Sequence, residues 1–342
     1  MTLVKSPDGR ILVVGGYGAV GAVVTGALGE WFPGRVVPGG RNETRARRHG
    51  GVRVDLAKPG DFSRTLGELG DVAAVVLCAE PPDDGVARAC LENGVHLVDV
   101  GATPRLLNAV SGLHETASAA GATAVLSVGV APGLTNLLAR RAHEEVGGAE
   151  RLDLTVLLGS GERHGLDAVR WTVEGLAEPV TARPRRTVLP GHGTRTAHPF
   201  PFSDQHTLPS TLGVPQVTTR LCLDSAPLTA ALFALRRAAR KPGVRRLLTG
   251  TFRRVHLGGD GFAIRADARN GDRRASHVLT GRGQSRVTGL VAAHVTRELM
   301  TGTLPVGVHH IEQLPSLSGL PETLLDARAV ILHRPTAQGD LR

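Results

Sequence analysis

The sequence predicts an α/β fold whose N-terminal part is a doubly wound parallel sheet. Six short apolar segments alternate with segments of helical character between residues 11 and 128, which is the pattern of a parallel sheet covered by helices. The first segment, residues 11–14, is an unbroken run rich in β-branched residues, as expected of a strand buried on both faces. A glycine-rich segment and a helix of small residues follow it directly.

The other elements of this sheet follow from the apolar runs and the residues that end them. A helix at 21–30 ends at Trp31-Phe32-Pro33-Gly34, and Gly94 and Gly121 are placed to end two later helices. The remaining strands are expected at residues 35–38, 52–56, 72–78, 95–100 and 123–128, and the remaining helices at 61–69, 84–93 and 113–120.

After residue 131 the pattern changes to that of an α+β domain. Residues 151–158 alternate apolar and polar side chains, which predicts a strand with one buried face. Residues 178–212 contain many prolines and turn residues and are expected to be irregular, as a flap or a dimer arm. Further helices are expected from 136 to about 147, at 166–177 and at 228–240, strands at 221–224, 255–257, 262–267 and 275–279, a returning helix at 287–300 and a frayed tail at 335–342.

Composition bounds the organisation of the chain. Its 342 residues suffice for two domains, predicted as residues 1–131 with about 285–342 for nucleotide binding, and 132–284 for substrate binding and dimerisation. Three scattered cysteines argue against a disulfide framework or a metal site and fit a reducing cytoplasm. No apolar run has the length of a membrane span. The net charge is +9, but the densest basic stretch offers one aromatic residue, so we expect no specific nucleic-acid partner.

The glycine-rich segment has the spacing of a dinucleotide-binding loop. Gly16, Gly18 and Gly21 form G-x-G-x-x-G between the first strand and its helix. The first glycine permits a tight turn, the second lets a diphosphate approach the backbone, and the third allows close packing of helix and strand. The helix start then offers free N–H groups to the phosphates. The loop is completed by Tyr17, Ala19 and Val20. An ordinary glycine-rich turn is the alternative in a chain with 44 glycines.

The end of the second strand indicates which dinucleotide binds. An NAD site would place an acidic residue there to hold the ribose 2′-hydroxyl, but this strand runs into Gly39-Gly40-Arg41-Asn42, with further arginines close behind. A guanidinium grips a 2′-phosphate that a carboxylate would repel. We therefore predict NADP (NADPH) as cofactor, with Arg41 and Asn42 at the adenosine end. A solvated arginine cluster is the alternative.

Several further residues are expected at the carboxyl ends of the strands, where ligands bind in such sheets. Asp55 faces the adenine or caps the next turn, whereas Cys78 and Ala79 line the cofactor cleft, with Cys78 a small buried residue and not a nucleophile. Gly129 follows the sixth strand on the cofactor side. Asp99 ends the fifth strand and is a candidate substrate contact.

The substrate contacts and catalytic groups are predicted outside the first sheet. Thr135 and Asn136 lie at a helix start, where they contact the substrate or simply cap the helix. Arg163, in a glycine-rich charged loop, is a candidate for binding a substrate carboxylate. If the reaction needs a proton donor, then His164, Asp204 and His206 are the candidates, and for each of them a structural role is the alternative.

Three segments of the chain resemble the saccharopine dehydrogenase-like oxidoreductases. They are GGYGAVG with the later GGRN, CAEPPDDGVARACLENGVHLVDV and SVGVAPGLTNLLAR, and the resemblance resumes more weakly from Val287 to Leu314. The resemblance implies a substrate domain after the Pro-Gly segment and a C-terminal helix returning to the first domain. This chain departs from the family at Leu97, where an aromatic residue is usual, and at Glu80-Pro81, where a Gly-Pro pair is common.

Together these features predict an NADP-dependent dehydrogenase or reductase. The leading hypothesis is hydride transfer between NADPH and an amino-acid-derived imine or carbonyl compound, in a cytoplasmic homodimer without membrane contact. The cofactor carries the hydride, so the protein has to orient the substrate and exclude water. An enoyl- or keto-reductase and a non-catalytic NADP-binding redox sensor are the alternatives.

Overall fold

The computed structural model describes residues 8–58, 60–162, 166–252, 258–302 and 304–333. The chain forms two compact units, one of residues 1–129 with 288–320 and the other of residues 130–287 with 321–342. The expected strand at 255–257 and the tail at 335–342 lie outside the described residues. Within the described part, no helix is both long and apolar enough to cross a membrane.

The N-terminal part of the first unit alternates strands and helices, as the sequence predicts. Its elements are β1 (Arg10–Val14), α1 (Gly21–Trp31), β2 (Val36–Gly40), α2 (Glu43–Arg48), β3 (Val52–Arg53), α3 (Asp61–Leu69), β4 (Val72–Leu77), α4 (Gly85–Glu92), β5 (His96–Asp99), α5 (Pro104–Ser111), α6 (His114–Ala119) and β6 (Thr123–Leu126).

The second unit and the C-terminal return supply the remaining elements. They are α7 (Thr135–Glu145), β7 (Arg151–Leu158), α8 (Leu166–Ala177), β8 (Arg185–Leu189), β9 (Gly193–Pro199), α9 (Asp204–Thr211), β10 (Gln216–Leu223), α10 (Ala226–Ala234), α11 (Pro242–Phe252), β11 (Gly261–Asn270), β12 (Arg273–Arg282), α12 (Gln284–Met300), β13 (Gly307–His310), α13 (Leu320–Asp326) and β14 (Val330–His333).

The sheet of the first unit is parallel throughout and has the strand order β13-β6-β5-β4-β1-β2-β3. β1 lies between β2 and β4, with Ile11 opposite Val36 on one side and Ala74 on the other. All six residues of β4 are buried, because helices cover both faces of a doubly wound sheet. The strand order reverses at β1, which is where such sheets bind ligands. The predicted α/β fold class is therefore confirmed.

The C-terminal helix packs on the first helix of the chain. A Cβ on Gly289 would lie 2.7 Å from the Val23 Cβ, so the absence of a side chain allows this close contact between α12 and α1. At the end of α1, the Trp31 ring lies 4.9 Å from the His294 ring and 4.6 Å from the Arg297 guanidinium. The predicted return of a helix to the first domain is thus observed.

The sheet of the second unit is mixed, in the order β14-β12-β11-β7-β10-β9-β8. β7 pairs in parallel with β10, whereas β11, β12, β14 and the β8–β9 hairpin pair antiparallel. The expectation of irregular structure at 178–212 is wrong, because β8, β9 and α9 all lie there. Prolines end β9 and interrupt the sequence of α9 at Pro209, which hid these elements from a pattern-based prediction. The sequence predicts that the last residues of the chain belong to the first domain. The structure differs there, because β14 pairs with β12 of the second unit.

Candidate functional site

The loop between β1 and α1 has room only for glycine at two of its three motif positions. A Cβ on Gly16 would lie 2.7 Å from the Pro38 Cβ, and a Cβ on Gly21 would overlap the Gly15 carbonyl oxygen. Gly18 is exposed, and a Cβ there would meet only the Gly15 carbonyl oxygen, at 3.2 Å. The bare backbone at Gly18 is therefore a surface that a diphosphate can approach.

Helix α1 begins with unused hydrogen-bond donors. Its N-cap residue, Val20, makes no side-chain hydrogen bond. Among the described residues, the N–H groups of Ala19, Val20 and Gly21 donate to no backbone carbonyl. The first N–H groups of a helix carry partial positive charge and bind anions readily. The loop thus offers a cofactor diphosphate free N–H donors that the backbone of the protein does not use.

The end of β2 is joined to this loop by backbone hydrogen bonds. The N–H groups of Gly15 and Gly16 donate to the Gly39 carbonyl oxygen at 2.8 and 3.1 Å. Arg41 follows the strand and is exposed. The structure therefore places Arg41 beyond the tip of the strand next to the glycine-rich loop, on the adenosine side that the topology predicts.

Asn42 and Arg45 start the next helix and contact the loop through Tyr17. The Asn42 Oδ1 accepts from the Arg45 N–H at 2.9 Å and so caps α2. The Arg45 Nη2 donates to the Tyr17 carbonyl oxygen at 3.0 Å, and its guanidinium lies 4.7 Å from the centre of the Tyr17 ring. Arg45 belongs to the arginine cluster noted in the sequence, but only the structure shows that it contacts the loop.

The ends of β4 and β5 bring a carboxyl group beside a thiol. Asp99 is 4% exposed and its Oδ1 accepts from the Gly101 N–H at 2.7 Å. Burial, with a smaller contribution from Glu80, raises the pKa of Asp99 to about 6 in spite of that hydrogen bond. Burial and the neighbouring Asp99 raise the pKa of Cys78 to about 12. The thiol therefore stays protonated at neutral pH, whereas Asp99 exchanges a proton near pH 6.

The remaining predicted cofactor contacts lie at the same edge of the sheet. A Cβ on Gly15 would meet the Cys78 carbonyl oxygen at 3.0 Å and the Ala79 Cβ at 3.4 Å, so the loop packs on the end of β4. The Asp55 Oδ1 accepts from the Ala57 N–H at 3.3 Å, which is the turn-capping alternative. Gly129 is buried shortly after β6. Their contacts with a cofactor stay predictions.

A serine and a histidine that the sequence did not indicate meet at the end of β6. Ser127 is fully buried and has a φ of 59°, a left-handed conformation uncommon outside glycine. Its Oγ lies 2.8 Å from the His310 Nδ1, and the His310 Nε2 lies 3.3 Å from the Ser111 Oγ. Burial lowers the pKa of His310 to about 4, so the ring is neutral. These contacts tie the edge strand β13 to its neighbour.

The predicted polar pair at the start of α7 is buried. The Asn136 Oδ1 accepts from the Gly133 N–H at 3.1 Å and from the Thr135 Oγ1 at 3.2 Å, which is close to the capping alternative. The Asn136 Nδ2 has no hydrogen-bond partner within the described residues. A buried amide group without a partner is rare, so a ligand oxygen at this position would satisfy it.

The two predicted catalytic groups that the structure describes, Asp204 and His206, differ in their surroundings. Asp204 is fully buried, and its Oδ1 accepts from the Thr219 Oγ1 at 2.7 Å. His206 is two residues away on α9 but exposed. His164 and the predicted carboxylate ligand Arg163 lie outside the described residues. Asp204 thus has a partner that joins α9 to β10, which is the structural alternative.

A polar centre that the sequence did not reveal lies where β7 and β10 end. The Asp224 carboxylate accepts from the Ser160 Oγ at 2.6 Å, the Ser160 N–H at 3.1 Å and the Gly259 N–H at 2.8 Å. Burial raises the pKa of Asp224, but these hydrogen bonds outweigh it and hold the pKa below its ordinary value. Two residues after Ser160, Glu162 accepts from the N–H groups of Gln284 and Ser285, both at 2.7 Å, and so caps α12.

A parallel sheet with this strand order, a glycine-rich loop at its switch point and a second mixed sheet define a two-domain dehydrogenase fold. Residues 11–125 match the family model described as saccharopine dehydrogenase NADP binding domain. This part of the chain is similar to that domain, in agreement with the resemblance that the sequence predicts. The match supports the predicted cofactor, NADP(H).

Solved structures of dehydrogenases extend the likeness of fold to nearly the whole chain. DAP dehydrogenase of C. glutamicum, in complex with DAP, is similar over 94% of this chain and 99% of its own, with 16% identity and a TM-score of 0.50. An engineered D-amino acid dehydrogenase bound to NADP+ is similar over 93% of this chain and 98% of its own, with 14% identity and a TM-score of 0.50. At such identities the likeness shows the fold alone.

Proposed function

We propose that the protein is an NADPH-dependent reductase of the saccharopine dehydrogenase type, acting on an amino-acid-derived imine or carbonyl compound. One observation carries the proposal: helix α1 begins without a side-chain cap, beside the strand end that Arg41 follows. NADPH supplies the hydride. The residues of the chain bind and orient the reactants and handle the proton.

Asp99 is the group best suited to proton transfer. General acids and bases work best when their pKa lies near the operating pH, and burial brings the pKa of Asp99 to about 6. Its Oδ1 is engaged by the Gly101 N–H, so the second carboxyl oxygen serves the substrate nitrogen or oxygen. A protonated imine needs little further acid catalysis, whereas a carbonyl substrate depends on Asp99 for its proton.

The preference for NADP over NAD rests on the tip of β2. No acidic side chain lies at the strand end, where an NAD site holds the ribose hydroxyls, and Arg41 follows with its guanidinium exposed. Arg41→Asp should weaken NADPH binding by roughly 10- to 100-fold, the range of a charged hydrogen bond, and change NADH binding far less. Calorimetric titration of both cofactors measures this, and equal losses would refute the assignment.

The reaction itself is tested by following NADPH absorbance. The panel contains keto acids alone, keto acids paired with amines, and enoyl compounds; DAP and D-amino acids with NADP+ test the reverse direction. We expect turnover with one class of imine or carbonyl compound. Tight NADPH binding without turnover on any member would overturn the reductase assignment in favour of an NADP-binding sensor. Turnover of enoyl compounds alone would make the protein an enoyl reductase.

The second unit is proposed to contact the substrate and to form a homodimer. The unpartnered Asn136 Nδ2 supports a contact with a substrate oxygen. Asn136→Asp keeps the acceptor but replaces the amide donor with a carboxylate, so it should raise KM and leave the Kd of NADPH within about twofold.

Sedimentation of the purified protein tests the dimer, and a monomer at micromolar concentration would refute it.

A further inference from the structure

The only tyrosine of the sequence connects the glycine-rich loop to the turn that follows β2. The Asn42 N–H donates to the Tyr17 hydroxyl at 3.0 Å, and that hydroxyl donates in turn to the Asn42 carbonyl oxygen at 3.2 Å. One side chain therefore bonds both backbone groups of Asn42, the residue that caps α2. These two bonds hold together the segments that would contact the opposite ends of an adenosine diphosphate.

The neighbouring residues are adapted to this contact. A Cβ on Gly40 would overlap the Tyr17 hydroxyl, so the phenol reaches the turn only because β2 ends in glycine. The His49 ring stacks on the Tyr17 ring with their centres 5.8 Å apart and their planes at 16°. The ring is thus confined by its surroundings, as preorganised binding groups are.

The Tyr17 ring and carbonyl also fix the position of Arg45. The Arg45 guanidinium lies 4.7 Å from the ring centre, its Nη2 donates to the Tyr17 carbonyl oxygen, and its own N–H is held by Asn42. Among the described residues no carboxylate pairs with Arg45, whereas Arg47 on the same helix pairs with Glu43 at 2.5 Å. Arg45 is therefore a positive charge that is held in place but not neutralised.

We propose that Tyr17 is a positioning residue that presents Arg45, in addition to Arg41, to the 2′-phosphate of NADP, so that this pair adds to the selectivity for the phosphorylated cofactor. A long arginine side chain that is already ordered loses less conformational entropy when it binds a phosphate. The bond from the Arg45 Nη2 to the Tyr17 carbonyl oxygen also joins the guanidinium directly to the glycine-rich loop. The proposal rests on the NADP assignment and is independent of the substrate.

Binding titrations with a double-mutant cycle test the proposal. The variants are Tyr17→Leu, Arg45→Met and the double variant, and the probes are NADPH, NADH and adenosine 2′,5′-bisphosphate. Arg45→Met should raise the Kd of NADPH roughly 10- to 100-fold and that of NADH less than about threefold. Tyr17→Leu should raise the NADPH Kd roughly 5- to 20-fold with a similarly small effect on NADH, and adenosine 2′,5′-bisphosphate should follow NADPH.

The cycle separates positioning from direct contact. If Tyr17 acts through Arg45, then Tyr17→Leu causes no further selective loss in the Arg45→Met background. Fully additive losses, or equal losses for NADPH and NADH, would overturn the proposal. Arg47→Met is the matched control, because its charge is already paired, and it should change each Kd less than about twofold. If Tyr17→Leu fails to fold, Gly40→Ala displaces the phenol instead, and it must give the same selective loss.

The outcome is distinct from that of the turnover assay. A protein that binds NADPH selectively through Tyr17 and Arg45 but reduces no compound would refute the proposed reductase and leave this inference intact. If the protein turns over a substrate but its cofactor preference is unchanged in both single variants, then the proposed reductase stands and this inference is refuted.

Discussion

The two sheets bury polar side chains in different places. In the first sheet the strand interiors are apolar, with β4 buried along its whole length, and the buried polar residues Asp99 and Ser127 come at or just after strand ends. In the second sheet, charged residues occupy the middle of strands: Asp153 on β7 and Arg220 on β10 are both less than one-tenth exposed. Groups at strand ends can meet a ligand, whereas groups within strands bind one another.

The register of the second sheet explains why its charges form a network. Asp153 lies directly opposite Asp267 on the antiparallel neighbour, a pair that would repel if left alone. Arg185 bridges the two carboxylates at 3.2 and 3.8 Å, Arg220 donates to Asp153 at 2.6 Å, and Arg265 donates to Asp267 at 2.8 Å. Each carboxylate therefore has at least two guanidinium partners.

The same arginines hold the segment that contains β8. The Arg220 Nε donates to the Arg183 carbonyl oxygen and the Arg265 Nη1 donates to the Val188 carbonyl oxygen, both at 3.1 Å. The charges thus serve the internal structure of the second unit. In contrast, the strand-end groups of the first unit retain an unusual pKa, as at Asp99, which is typical of sites that handle protons.

The largest expected effect comes from breaking the network of the second sheet. Asp153→Ala leaves the Arg220 guanidinium buried without its counter-charge, and we expect a loss of about 3–5 kcal/mol in the free energy of unfolding. Arg151→Ala removes a partner that is 46% exposed, and it should cost less than about 1 kcal/mol. Denaturant unfolding of both variants measures the difference. Similar losses in the two variants would show that burial does not determine how much each charged residue of the network contributes to stability.

Replacing Asp99, at the end of β5 in the first sheet, should raise the free energy of unfolding and not lower it. The pKa of Asp99 is about 6 in the folded protein and about 3.8 in the unfolded chain. The folded state therefore loses stability as the pH rises from about 4 to 6, and the penalty is constant above. Asp99→Asn should stabilise the protein at pH 7.5 by about 2–3 kcal/mol, and the gain should vanish near pH 3.5. A destabilised variant at pH 7.5 would contradict this account.

His310, in the same sheet, should make the stability of the protein fall at acid pH. Its pKa is about 4 in the folded protein and about 6.5 when unfolded, so the stability it contributes is complete above pH 6.5 and is lost as the pH falls towards 4. Between pH 8 and pH 5 this loss amounts to about 2 kcal/mol. His310→Gln should show a smaller decrease over that range in denaturant unfolding. An unchanged pH dependence would assign the decrease to other groups.

The smallest effect concerns Glu162, the carboxylate after β7 that caps α12. Glu162→Gln keeps hydrogen-bond acceptors for Gln284 and Ser285 but removes the charge at the start of α12, and it should cost about 1 kcal/mol. Glu174→Gln, at an exposed position on α8, is the control and should stay within about 0.5 kcal/mol of the parent. Equal losses in the two variants would show that the charge of Glu162 stabilises the protein no more than that of an exposed surface residue.

The sequence predicted best where one local pattern determined the structure. The bounds of α3, β7 and α8 agree with those predicted, because each has a clear apolar period between residues that end it. The cofactor loop was found for the same reason, since its glycines are spaced by the geometry of a single turn. The position of Arg45 could not be predicted, because it depends on how the turn after β2 folds back onto Tyr17.

Elements that depend on distant partners were missed. β13 has four residues and pairs with β6, and nothing in its own sequence shows that it extends the first sheet. The β8–β9 hairpin was hidden by the neighbouring prolines. Asp204 was proposed as catalytic because it lies near histidine and serine in the sequence, but its carboxylate is buried against Thr219.

The late arrival of β13 has a consequence for synthesis on the ribosome. The His310 ring bonds a serine that precedes it by 183 residues, so at 5–20 residues per second roughly 10–40 s separate the translation of the two. During that interval β6 is an open edge, the kind of strand to which other chains add. The nascent first unit is thus a natural client for chaperones until the C-terminal segment has emerged.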